Sequence, residues 1–171
     1  MKSSPRIPAT TLIEIVIYFV LLAVGLMVAM NFAITIGDLY GQSSNHNELQ
    51  SNADLLENRF TYAVQSAMSV TTASSSFGVD DGVLTLVMTE ASQSPTVFYL
   101  ENGVVYLQQG LGAAMALTSP AVQVDYFRLT EITATKAPTQ IQLDAQLSVL
   151  ALDREAMSAT ALIHLTVTLR Q

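Results

Sequence analysis

Glu14 is the side chain whose type and position together ask for a chemical explanation. Between it and Asp38 lie 23 residues without a single charge. A carboxylate at the edge of so apolar a stretch is costly to keep from water, and it needs either a partner or a task. The chemistry it offers is pairing with a positive group. Opposite charges attract strongly where the dielectric is low, and leaving either one unpaired there costs several kcal/mol.

Other reactive constellations are missing. His46 sits among Ser44, Asn45 and Asn47, and His164 falls on the polar side of an alternating segment. Neither has a cysteine or a His-x₃-His partner, so no metal site is expected. Asp80-Asp81-Gly82 has the composition of a calcium loop, but calcium takes about 6–8 oxygens and no D-x-D-x-D-G spacing follows, so a plain turn is expected. The chain lacks G-x-S-x-G, G-x-x-x-x-G-K-[ST] and G-x-G-x-x-G. Fourteen acidic residues supply many carboxylates, but nothing in the spacing selects two of them. No enzyme activity and no cofactor are expected. The net charge of −7 suits neither DNA nor RNA phosphates, so direct nucleic-acid binding is not expected. There are no cysteines, which excludes thiolate metal sites, cysteine nucleophiles and disulfides.

The element that carries Glu14 is the run Thr10 to Gly37, TTLIEIVIYFVLLAVGLMVAMNFAITIG, interrupted by Gly25, Asn31, Thr35 and Gly37 and free of proline. About 20 such residues cross a bilayer as a helix. Met1 to Ala9 is short and basic through Lys2 and Arg6, which holds that flank in the cytoplasm and sends the remainder outward. A secretory signal would place its small-residue cleavage site after the apolar segment. Here the small residue, Ala9, stands before it, followed by Thr10-Thr11-Leu12-Ile13-Glu14.

At these residues the chain resembles the type IV pilin-like proteins: pilins, pseudopilins and competence pilins. That family has a short basic leader, a small residue, an aromatic, Thr-Leu-Ile-Glu and about twenty apolar residues. Thr11, Leu12, Ile13 and Glu14 match; Ala9 stands where glycine is usual and Thr10 where phenylalanine is usual. The motif covers about the first 40 residues. The resemblance implies cleavage between Ala9 and Thr10 by a prepilin peptidase, methylation of the new Thr10 amine, and pairing of Glu14 with the N-terminal amine of a neighbouring subunit. It implies other pilin or pseudopilin subunits, the peptidase, the cytoplasmic membrane and an assembly platform as partners. Cleavage would remove Lys2 and Arg6 and take the net charge from −7 to −9. The plainer alternative is a single-pass anchor whose Glu14 snorkels to the interface.

Beyond the span, Leu49, Ala53, Leu56, Phe60, Val64 and Ala67 recur at steps of three and four, which predicts an amphipathic helix from Asp38 to about Val70, with Met68 widening its apolar stripe. Its polar faces carry Glu48, Gln50, Asn52, Asp54, Glu57, Asn58 and Arg59. Gly37 and Gly41 make a kink or break between the two halves plausible. From Val83 the period becomes two. Val83 to Thr89 reads as a strand, and Thr96 to Glu101 and Val104 to Gln109 flank Asn102-Gly103, a type I′ hairpin signal. That turn pairs Glu101 with Val104, Leu100 with Val105, Tyr99 with Tyr106 and Phe98 with Leu107. Phe98, Leu100, Val105 and Leu107 then face the core, while Tyr99 and Tyr106 stack outside as a cross-strand pair. Gly110 to Pro120 reads as a loop. Ala121 to Ile132 reads as a strand whose phase changes near Tyr126-Phe127, the mark of a bulge. Thr133 to Thr139 reads as a loop. Ile141 to Ala151 and Ala161 to Leu169 alternate as two long strands, joined by a turn at Asp153 to Ser158.

The expected fold is α+β, a long N-terminal helix on an antiparallel sheet of roughly six strands. The parts are a leader at 1–9, a membrane and assembly helix at 10–37, an amphipathic helix at 38–73 and a β-rich outer domain at 74–171. The expected function is that of a structural subunit, minor rather than major, of a pilus, a secretion pseudopilus or a competence pilus. Its expected place is the cytoplasmic membrane, with the short N-terminus inside and the C-terminal domain outside. A membrane-anchored binding protein with no filament role is the alternative.

Overall fold

Residues that are apolar on every face, followed by a three-four apolar stripe, give a single long element. The computed structural model describes residues 12–134, 137–149 and 159–170, and in it α1 runs Leu12–Ser66. Gly37 and Gly41 lie inside this helix without ending it. Eight strands follow among the described residues: β1 Ala67–Val70, β2 Val83–Met88, β3 Thr96–Glu101, β4 Val104–Gln109, β5 Met115–Ala116, β6 Gln123–Ala134, β7 Ala137–Val149 and β8 Ala159–Thr168. The layout is α+β, as expected. The chain divides into two compact units, Met1–Gly41 and Gln42–Gln171.

The first unit, where described, is helix alone. Its large apolar side chains from Leu12 to Tyr40 are exposed on all sides, and no residue of its most apolar stretch is buried. It supplies the one helix among the described residues long and apolar enough to cross a membrane. The 23 uncharged residues span about 35 Å at about 1.5 Å each, enough for a hydrocarbon layer of about 30 Å. Two polar side chains within the run are satisfied by the helix itself. Asn31 Nδ2 donates to the Met27 carbonyl at 3.0 Å, and Thr35 Oγ1 donates to the Asn31 carbonyl at 2.9 Å.

The second unit holds the core. The helical stripe buries Leu49, Leu56, Phe60 and Val64 as its period requires, and adds Ala63. Phe60 meets Phe98 of β3 edge to face, with ring centroids 5.5 Å apart. Two antiparallel sheets close around these residues. One has the order β1-β2-β3-β4-β5, and the other has the order β6-β7-β8. The β3–β4 hairpin has the expected register, pair by pair, with Asn102 and Gly103 both at positive φ as a type I′ turn demands. Tyr99 and Tyr106 stack with centroids 5.5 Å apart. On the second sheet Ile141, Leu143, Ala145 and Leu147 of β7 are fully buried, as their alternation requires. The bulge falls between Val124 and Tyr126.

Several boundaries differ from the expectation, each for a tertiary reason. The helix stops at Ser66 rather than Val70, because Ala67–Val70 pairs with β2 as an edge strand. β-branched Val70 suits that extended path. Met68 therefore leaves the apolar stripe and is exposed. Asn52, on a polar face by sequence, is buried: its Oδ1 accepts the Ser119 N–H at 2.7 Å, and its Nδ2 donates to the Glu48 carbonyl. The loop from Gly110 to Pro120 contains β5 and buries Leu117 and Thr118. The expected loop at Thr133 to Thr139 is shorter, since Ala134 pairs with Ala137 and Gln140 with Ile132. The sheet is two sheets. The turn expected at Asp153 to Ser158 lies outside the described residues.

The junction of the two sheets is a backbone seam. Gly78 N–H donates to the Leu129 carbonyl at 2.8 Å, Phe127 N–H to the Asp80 carbonyl at 2.7 Å and Gly82 N–H to the Phe127 carbonyl at 2.9 Å. Val124 N–H, farther along β6, reaches the Gly103 carbonyl of the hairpin turn at 2.8 Å. A Cβ at Gly82 would lie 2.6 Å from the Phe127 oxygen, so only glycine lets the two backbones meet. Gly82→Ala is expected to lower the unfolding free energy of the Gln42–Gln171 unit by about 2 kcal/mol, as an overpacking substitution does. Gly25→Ala, in open space, is expected to leave it unchanged. Urea unfolding of the full chain in detergent micelles checks both.

Candidate functional site

Glu14 lies in the first turn of the described helix. Leu12 and Ile13, the described neighbours from the N-terminal motif, are exposed on the same helix. Ala9, Thr10 and Thr11 lie outside the described residues. The carboxylate has one partner among the described residues: Tyr18 Oη, one turn on, donates to Glu14 Oε1 at 3.2 Å. Residues four apart are neighbours on a helix surface, so the pair needs no tertiary contact to form. The second carboxylate oxygen has no partner among the described residues. The arrangement is a half-satisfied carboxylate at the edge of an uncharged, fully exposed apolar helix. Chemically it can accept one more hydrogen bond or a positive charge. Tyr18 was not foreseen from the sequence, although its spacing from Glu14 was the available signal.

The second unit carries a different polar arrangement. The register of the β6-β7-β8 sheet aligns Arg128, Asp144 and His164 in one row across the three strands. Arg128 Nε and Nη2 both donate to Asp80 Oδ1, Nε at 3.1 Å, and its guanidinium lies 5.9 Å from the centre of the Tyr126 ring. Asp144 Oδ1 pairs with His164 Nδ1, and Gln142 Nε2 donates to Asp144 Oδ2 at 2.9 Å. Asp80 thus forms a solvent-exposed ion pair beside the seam. His164, unremarkable by sequence, has a carboxylate partner that only the strand register supplies. His46 is exposed on α1. No group of three or more metal-ligating side chains occurs among the described residues.

Partial burial pushes the Asp144 carboxyl up, but hydrogen bonds from His164 and Gln142 and the charges of His164 and Arg128 outweigh it and leave the carboxyl below its usual range. A carboxyl depressed in the folded state stabilises the fold above its unfolded value, about 3.9, and that contribution fades as the pH falls through the folded value. Both partners keep solvent access, so the effect is modest.

A concavity of about 520 Å³ is an open groove at the C-terminal end of α1, bordered by Tyr62, Met68, Met88, Glu90 and Arg170. Its two charged side chains, Glu90 and Arg170, have opposite sign. Asp144→Asn is expected to lower the melting temperature of the second unit at pH 5–6 by a few degrees, and the difference from the unsubstituted protein is expected to close below about pH 4. Thermal unfolding across that range checks it. The chain matches no protein-family model, no curated protein and no solved structure.

Proposed function

We propose that this chain is a structural subunit, minor rather than major, of a type IV pilin-like assembly: a pilus, a secretion pseudopilus or a competence pilus. It is inserted in the cytoplasmic membrane through the span that begins near Leu12, with the Gln42–Gln171 unit outside. A prepilin peptidase cuts between Ala9 and Thr10 and the Thr10 amine is methylated. Glu14 then takes the amine of a neighbouring subunit, while Thr11, Leu12 and Ile13 serve the recognition motif. The partners are other pilin or pseudopilin subunits, the peptidase and the assembly platform.

The observation that carries the proposal is the first unit itself. Every large apolar side chain from Leu12 to Ile36 is exposed, and the one acidic residue among them, Glu14, accepts a single hydrogen bond among the described residues. Lipid can cover the apolar surface, but a carboxylate needs a counter-charge. A filament of like subunits provides both. Helices bury one another's apolar faces, and each amine meets a neighbour's carboxylate at a fixed axial offset, so the pair sets register.

Glu14→Val tests this. Leaving the neighbour's amine unpaired costs about 3–5 kcal/mol, which corresponds to a fall of about a hundredfold or more in incorporation. The variant is expected to insert in the membrane at normal levels and to be missing from sheared filaments or co-purified subunits. A membrane-anchored binding protein would tolerate the substitution, so normal incorporation and function would overturn the pairing role.

A further inference from the structure

We infer that Tyr18 is a positioning residue for the Glu14 carboxylate: it holds one oxygen and leaves the other aimed outward for the pairing charge. This rests on the assembly reading above. Three polar side chains occur between Glu14 and Asp38, namely Tyr18, Asn31 and Thr35. All three bond to the residue four positions earlier. Asn31 and Thr35 reach backbone carbonyls, which only satisfies themselves. Tyr18 is different, because its acceptor is the Glu14 side chain.

A glutamate side chain has three rotatable bonds, and fixing them costs about 1–2 kcal/mol of rotamer entropy. A hydroxyl that fixes them beforehand lowers what the pairing step must supply. One carboxylate accepts several hydrogen bonds, so the Tyr18 bond and a pair with an amine are compatible. Helical side chains lean toward the N-terminus. The Tyr18 ring therefore covers the turn that carries Glu14, and its hydroxyl arrives from the C-terminal side. Among the described residues nothing bonds the carboxylate from its N-terminal side. The hydroxyl does the positioning, and the ring is its carrier.

The test uses the full chain recovered from its own membranes and reconstituted in lipid vesicles. Solid-state NMR with Tyr18 Cζ and Glu14 Cδ labelled is expected to give a direct cross-peak at low protein density; its absence would overturn the inference. Energy transfer between labelled copies then reads self-association. Tyr18→Phe is expected to weaken it about five- to thirtyfold, the factor that matches the rotamer entropy. Tyr18→Gln, which restores a donor without the ring, is expected to recover most of the loss. If the ring rather than the hydroxyl mattered, phenylalanine would be harmless and glutamine damaging, and that order would overturn the inference. Equal association of the unsubstituted chain and Glu14→Val would instead remove the assembly reading, and this inference with it. If Glu14→Val dissociates while Tyr18→Phe associates normally, the inference alone fails.

Discussion

Polar groups in hydrocarbon find no water, so each must be satisfied within protein. In the proposed membrane-spanning role, that constraint organises the first unit. Its backbone is helical from Leu12 onward, its asparagine and threonine return to carbonyls one turn back, and its tyrosine returns to a carboxylate. The common direction of the three bonds has one cause: helical Cβ atoms tilt toward the N-terminus, so the residue four positions earlier is the nearest partner. Everything polar in the span is thereby accounted for except half of one carboxylate. The proposed assembly follows from that remainder, as an interaction the single chain leaves incomplete.

The second unit meets a different demand. With no cysteine in the chain, it has no disulfide to restrict the unfolded state. Its stability comes from burial around Phe60, Phe98 and Phe127 and from the seam that ties the two sheets through backbone bonds at Gly78, Asp80 and Gly82. Among the described residues no buried side-chain nitrogen or oxygen lacks a partner. Asn52 illustrates the solution. A polar residue inside the packed face of α1 bonds the Ser119 backbone and so pins the loop before β6 to the helix.

Where local chemistry dominates, the sequence was readable. Asn102-Gly103 sets a turn type, the turn type sets the register, and every pair of the hairpin follows. The helix stripe and the alternation in β7 were legible for the same reason, since period alone decides which side chains point inward. The misses are places where a distant partner decides. Nothing near Ala67 announces an edge strand; the free edge of β2 creates it. Nothing near Asp80 announces Arg128, 48 residues away. The division into two sheets depends on where the chain crosses between them, which no local pattern records. At the candidate site, Glu14 was visible because its charge breaks an apolar run. Tyr18 was hidden because a tyrosine in such a run also reads as ordinary interfacial packing.

The claim on which the account rests is that Glu14 awaits the amine that cleavage creates on a neighbouring subunit. Intact-mass spectrometry of the protein isolated from its native membrane tests that most directly. The account predicts a chain that begins at Thr10, with or without one added methyl group. A mature chain that still carries Met1 to Ala9 would contradict it, because no Thr10 amine would then exist for a neighbour's Glu14 to take.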